Sequence, residues 1–367
     1  MAASGSDLYV GLMSGTSLDG VDAALVDFAE PTIRLVGTRH LPYDDEIRSA
    51  ALALSASGAD EIDRAASLAN ELARIYARAV DELLGAAGVQ PSEVHAIGCH
   101  GQTVRHRPEA GYSVQLVNPS LLAELSRIRV VADFRSRDLA AGGQGAPLVP
   151  AFHAACFRSP TVGRAVVNIG GIANITDLPV TGAVRGFDTG PGNMLLDAWA
   201  NAQRGERFDR GGAWAATGVV DRELLDAMLA DPYFAAPPPK STGREHFNRD
   251  WIERHEVFTR RPQDVQATLA ELTAFTLADA ARRECAGIAE VYVCGGGTRN
   301  EDLGSRLARL LAPVRVATTA ALGVDPEWVE AMAFAWLARQ TLLGLPGNLP
   351  EVTGARGPRV LGAIYPA

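Results

Sequence analysis

Asp188 lies in VRGFDTGPGN, after an apolar run and just ahead of a Gly-Pro-Gly turn. A carboxylate at a strand end beside a crevice is well placed to take a proton, which makes Asp188 the strongest single candidate for catalysis. The competing role is an N-cap, by Asp188 or Asn193, for a helix expected near Met194. Asp197 is expected on the polar face of that helix. Four Gly-rich turns follow apolar runs: SGTSLDG (14–20), IGGIAN (169–174), DTGPGN (188–193) and CGGGTRN (294–300). None has the Walker spacing GxxxxGK[ST], and none is a GxGxxG fingerprint opening a helix after the first strand. One such turn needs no more explanation than a bend with positive φ. Four of them, spread over both halves, suit a cleft that wraps a nucleotide, its phosphates on N–H groups and its base over the last glycines.

In the first turn Gly15 lets the backbone approach a phosphate, and Thr16 and Ser17 donate from hydroxyl and N–H. Asp19 and Asp22 are candidates to hold a hydrated Mg²⁺, which keeps waters and takes one or two carboxylates. The plainer alternative is a surface hairpin turning at Asp19-Gly20. Basic groups sit on loops at strand ends in HGQTVRHRP (100–108) and ADFRSRD (132–138), where Arg105 and Arg135 could receive a substrate carboxylate. His100, His106 and His153 form no metal-ligand pattern with a nearby carboxylate. The segment FAAPPPKSTGRE (234–245) reads either as a solvated connector or as a mobile substrate or phosphate contact.

These residues need elements to hold them. DLYVGLM, GVDAALVDF and IRLVGTRHLPY read as strands, and VHAIGCHGQTV and RVVADF as short buried ones. Apolar residues at Ile62, Ala65, Ala69, Leu72, Tyr76 and Val80 predict a helix that ends near Gly85 and Gly88. After the Gly/Pro-rich break LAAGGQGAPLVP comes a second strand–Gly turn–strand unit, AVVNIGGIANITDLP, about 150 residues behind the first. Helices follow at PQDVQATLAELTAFTLADAARREC, EDLGSRLARLL and PEWVEAMAFAWLARQTLL, with the strand EVYVC among them. The pattern predicts an α/β protein whose site lies in a cleft between two halves. The expected division is 1–145, 146–345 and a tail, 346–367, that packs back on the first domain.

At 367 residues the chain is long enough for two such domains. A net charge of −9 argues against a nucleic-acid partner, because phosphate neutralisation needs a basic surface. Cys99, Cys156, Cys285 and Cys294 show no metal or disulfide spacing and read as small buried hydrophobes. Without a signal-peptide pattern or an apolar run of about eighteen residues, membrane insertion is disfavoured and a cytoplasmic protein is expected.

GLMSGTSLDGVDAAL, HGQTVRH, DFRSRDLAAGGQGAPLVP, NIGGIANIT, GFDTGPGNMLLDAW, PPKSTGRE and CGGGTRN occur in this order. Together they closely resemble the anhydro-N-acetylmuramic acid kinases, a branch of the superfamily of sugar kinases, Hsp70 chaperones and actin. The resemblance implies two ribonuclease-H-like α/β domains with mixed sheets around a central ATP and sugar cleft. It implies bacterial, cytoplasmic, Mg²⁺-dependent and generally dimeric enzymes that recycle cell-wall fragments. They turn 1,6-anhydro-N-acetylmuramic acid, ATP and water into N-acetylmuramic acid 6-phosphate and ADP. The family's phosphate loop matches Gly15, Thr16, Ser17, Leu18, Asp19, Gly20, Val21 and Asp22, and its catalytic aspartate matches Asp188. The later Gly-rich turns place Gly170, Gly171 and Asn174, then Gly295, Gly296 and Gly297, on the nucleotide. Sugar-binding motifs match the segments holding His100, Gln102, Thr103, Asp133 and Arg135, and a helix glutamate near the sugar matches Glu330.

Met13, in MSGT, stands where many sugar kinases of the superfamily carry the Asp of Asp-x-Gly-Thr. That departure fits the anhydro-sugar branch and leaves the metal's carboxylate open among Asp19, Asp22 and Asp188. Two rival functions remain: a kinase for another anhydro sugar, such as 1,6-anhydroglucose, and an ATP-driven binding protein of the actin or chaperone kind.

Overall fold

The apolar runs flanking the first Gly-rich turn form an antiparallel hairpin, β1 (Leu8–Ser14) and β2 (Gly20–Asp27), in the computed structural model, which describes residues 5–15, 18–29, 33–244 and 246–367. Thr16 and Ser17 lie outside the described residues. β3 (Arg34–Pro42) pairs antiparallel with β2, and β4 (Val94–Arg107) pairs parallel with β1. β5 (Tyr112–Leu116) forms a hairpin with the outer end of β4, and β6 (Val130–Ala132) lies parallel to its inner end.

The second half repeats the plan. β7 (Gly163–Ile169), β8 (Ile172–Leu178) and β9 (Arg185–Pro191) form an antiparallel meander. β10 (Ile288–Cys294) is parallel to β7, and β11 (Arg315–Thr318) is parallel to β10. The last strand, β12 (Ala363–Tyr365), joins the first sheet beside β6. The sheets run β12-β6-β4-β1-β2-β3 and β11-β10-β7-β8-β9. In each, the first strand is central, its hairpin partners lie to one side and parallel strands to the other. This is the ribonuclease-H order, present twice in an α/β chain.

The chain divides into two units, Met1–Phe152 with Trp328–Ala367, and His153–Glu327. In the first, β1 is buried along nearly its whole length, as its continuous apolar run requires. The helix Glu61–Ala87 buries Leu68, Leu72, Tyr76, Ala79, Val80 and Leu83, one face at helical spacing, and ends on Gly88 with φ 67°. The helix Val329–Leu342, which the sequence groups with the second half, packs on β1 and β4 of the first unit. Its residues are apolar nearly all round, so periodicity alone does not reveal which sheet it covers. The core of the second unit is built from β7, β8 and β10 against the helices Pro262–Glu284 and Glu301–Leu311.

Candidate functional site

In the first unit the turn after β1 is held from beneath by a buried polar chain. Ser14 Oγ donates to Gln102 Oε1 at 2.5 Å and lies 2.6 Å from Tyr43 Oη, which meets Tyr76 Oη at 3.0 Å. The Gln102 amide nitrogen donates to Gly15 O at 3.1 Å. Gln102 is thus buried and holds the Gly15 carbonyl, while Thr103 beside it accepts from Gln115. Leu18 adopts φ 57°, and the Asp19 carbonyl accepts from Tyr43 N–H. Gly20, Val21 and Asp22 belong to β2, with the Val21 side chain in the core.

His100, Arg135 and Glu330 come together from β4, the loop after β6 and the helix Val329–Leu342. Arg135 donates Nη1 to Gly145 O at 2.7 Å and Nη2 to His100 Nε2 at 2.8 Å. His100 therefore accepts at Nε2 and carries its ring proton on Nδ1. Burial, with Arg135 beside it, pushes its pKa down to about 3. Burial also lowers the Arg135 guanidinium to about 10, against Glu330 and Asp138. Glu330 is raised by burial and by Asp22, with Arg135 opposing. Arg135 Nε is buried and meets no hydrogen-bond partner among the described residues, while the His100 ring N–H faces the Ser14 and Gly101 carbonyls. An unmet N–H donor on a buried guanidinium suits an acceptor-rich, anionic ligand.

Asp138 is fully buried and braces this loop, accepting from Gly145 N–H, Asn348 and Thr353. Asp133 is exposed at φ 59° and accepts from Ser136. Arg105, the other candidate for a substrate carboxylate, is paired instead with Glu61.

In the second unit Asp188 is not beyond a strand end but within β9, opposite Asn174 of β8. Asn174 is in turn opposite Asn168 of β7, and Asn168 opposite Cys294 of β10. Residues in register share a sheet face, so one polar row crosses β7, β8 and β9. Asn168 carries no signal of its own in the sequence, because cross-strand register is not written in any one segment. The helix does begin at Met194, yet neither Asp188 nor Asn193 caps it by side chain; Asn193 Nδ2 donates to Ile169 O. Asp197 is half-buried rather than on an open polar face, and burial raises it to about 7, with Arg244 opposing and Asp209 adding.

Glycine serves close packing here. A Cβ on Gly192 would lie 2.3 Å from Gly170 O, and the Gly170 and Gly171 carbonyls accept from the N–H groups of residues 192–194. A Cβ on Gly295 would fall 2.2 Å from Asn168 Oδ1 and one on Gly297 2.4 Å from Ile169, whereas Gly296 faces open space.

No three His, Cys, Asp or Glu side chains converge as a metal site among the described residues. Asp19 and Asp22 supply two carboxylates, Asp22 also meeting His40 Nδ1 at 2.8 Å. That sparse set fits a Mg²⁺ that keeps its waters and takes further donors from phosphate oxygens. No helix of the described residues is long and apolar enough to cross a membrane.

The family model described as anhydro-N-acetylmuramic acid kinase matches residues 7–367. A protein of that name from Thiobacillus denitrificans is 58% identical over 363 residues, 98% of this chain and 97% of its own length. One from Nitrosomonas europaea is 55% identical over 361 residues, 98% and 99% of the two chains. Among solved structures, the (R)-2-hydroxyglutaryl-CoA dehydratase component A of Acidaminococcus fermentans matches with TM-score 0.47 and 13% identity, over 90% of this chain and 96% of that one. A ROK family glucokinase from Streptomyces griseus, in complex with glucose and AMPPNP, matches with TM-score 0.41 and 15% identity, over 91% and 99%.

Proposed function

Because this chain belongs to the anhydro-N-acetylmuramic acid kinase family, phosphotransferases with an alcohol acceptor, we propose that it opens 1,6-anhydro-N-acetylmuramic acid with water while moving the γ-phosphoryl group of ATP to O6. The products are N-acetylmuramic acid 6-phosphate and ADP, in a cytoplasmic route that recycles peptidoglycan. The observation that carries the reading is a single carboxylate held at several points: Asp188 Oδ2 accepts from Thr242 N–H at 3.1 Å, and its main chain is bonded to Lys240 and Tyr233.

An ordinary glycosidase needs two carboxylates, one to protonate the leaving oxygen and one to activate water or attack. In a 1,6-anhydro sugar the leaving oxygen is O6. As the C1–O6 bond breaks, O6 takes the phosphoryl group where a glycosidase would supply a proton. Asp188 then acts only as general base on the water that attacks C1, and C1 inverts. The family reading assigns the triphosphate to Gly15 to Asp22 and the nucleotide to Gly170, Gly171 and Gly295 to Gly297. Mg²⁺, held through water by Asp19 and Asp22, would neutralise charge on the triphosphate. The same family reading makes the enzyme a homodimer.

His100 and Arg135 meet the lactyl carboxylate, with Glu330 on the sugar hydroxyls. Arg135→Met is expected to raise KM for the muramic sugar about 10- to 100-fold, the range for losing a hydrogen bond to a charged group. Turnover of 1,6-anhydroglucose, which has no carboxylate, should hardly change. Equal losses on both sugars would place the carboxylate elsewhere.

The reaction is tested in ¹⁸O water. Label is expected on the C1 hydroxyl and not in the phosphate, as read by mass spectrometry of the product. Label in the phosphate group would contradict attack by O6 on phosphorus.

A further inference from the structure

Residues 238–244 lie along β9 as a strap. The Asp188 N–H donates to Lys240 O at 3.2 Å, and Thr242 N–H donates to Asp188 Oδ2 at 3.1 Å. Lys240 Nζ donates to Tyr233 O at 3.0 Å and stands 4.6 Å over the Tyr233 ring. Tyr233 Oη closes the circuit by donating to Asp188 O at 2.8 Å. Main chain and carboxylate of Asp188 are therefore both held by residues 233–242.

One polar atom of this strap stands apart. Thr242 Oγ1 is buried and meets no hydrogen-bond partner among the described residues. Burying a hydroxyl without a partner is unfavourable, and each such group in a folded protein calls for a reason. Thr242 Oγ1 is only three bonds from the nitrogen that donates to Asp188 Oδ2, so one water can reach both side chains. A water held in a protein needs at least two polar partners, and these are two.

We propose that Thr242 is a further catalytic residue, whose hydroxyl is the second anchor of the water that Asp188 activates. The inference rests on the reading of Asp188 as general base. One O–H of the water points to the Asp188 carboxylate and the other to Thr242 Oγ1, which leaves a lone pair for C1. As the water oxygen bonds to C1, one proton passes to Asp188 and the C1–O6 pair stays with O6. O6 then bonds to the γ-phosphorus as ADP leaves. The second proton remains on the new C1 hydroxyl, still bonded to Thr242. Aim, rather than acidity, is what the hydroxyl contributes.

Thr242→Val keeps the shape and the N–H donor while removing the hydroxyl. It is expected to lower kcat about 10- to 100-fold, the scale of a lost positioning contact in the transition state. KM for ATP and for sugar should stay within about threefold, because the bound water and not either substrate loses its partner. The melting temperature should hold or rise, since an unmet buried hydroxyl is replaced by a methyl group. Thr242→Ser should restore kcat. Wild-type kcat in Thr242→Val would overturn the proposal. So would a loss that comes with a lower melting temperature and is not rescued by serine, because that pattern belongs to packing. Asp188→Asn run beside them separates the two readings. An active Asp188→Asn would remove the base itself, whereas an inactive one with a fully active Thr242→Val would remove only the second anchor.

Discussion

Asp188→Asn is expected to bind ATP and sugar as the wild type does and to lower kcat by about 10³- to 10⁴-fold, the upper range for a lost general base. Asparagine keeps the shape of the side chain, and its amide oxygen can still accept from Thr242 N–H, the bond that holds Asp188 Oδ2. Its NH₂ group donates and cannot take a proton, so only the proton transfer is deleted. The neighbours in register, Asn174 and Asn168, are neutral amides and offer no replacement base. In the first unit His100 is pushed down to about 3, so it is a neutral, hydrogen-bonded ring at working pH and does not substitute either. Initial rates would give kcat, and calorimetric titration with sugar and with a non-hydrolysable ATP analogue would give affinity. Unchanged turnover would reassign the base. Lost affinity for either ligand would mean that Asp188 holds substrate and not water.

Much of this arrangement is legible in the sequence. Both sheets begin with an apolar run, a Gly-rich turn and a second apolar run, and those stretches become β1–β2 and β7–β8. The long helices match the periodic segments because their apolar positions recur at helical spacing. What local pattern does not carry is register and partner choice. Asp188 reads as a residue beyond a strand, since Gly-Pro-Gly looks like the start of a loop, yet β9 continues through Pro191. Gln102 reads as a sugar contact, but its amide is spent inside, on Ser14 and Gly15. Arg105 and Arg135 look alike in sequence, but Arg105 pairs with Glu61, more than forty residues away, whereas Arg135 meets His100 and Gly145. Thr242 is plain from its backbone bond to Asp188, a contact across 54 positions that no window of sequence spans.

Gly98→Ala is expected to destabilise the first unit by about 3 kcal/mol or more, the upper range for forcing atoms into a filled interior. Gly98 of β4 and Gly11 of β1 are partners in the parallel ladder, and together they leave a bare strip in the sheet. The helix Val329–Leu342 seats its backbone there: a Cβ on Gly98 would fall 1.9 Å from Phe334 O, and one on Gly11 1.8 Å from Ala331 O. Glycine within a strand marks such an approach of another backbone. The obstacle is main chain on both sides, so no rotamer change relieves it, and the helix has to shift bodily. That helix carries Glu330, and its Phe334 ring lies 4.7 Å from the His100 ring. KM for the sugar should therefore rise together with the loss of stability. Gly85→Ala is the matched control, because Gly85 lies in the helix Glu61–Ala87 with open space around it and should gain up to about 1 kcal/mol. Urea midpoints of the two variants, read with sugar KM, separate these effects. A Gly98→Ala midpoint equal to the wild type would mean that the Glu330 helix does not rest on the sheet, and the cluster of His100, Arg135 and Glu330 would lose its support.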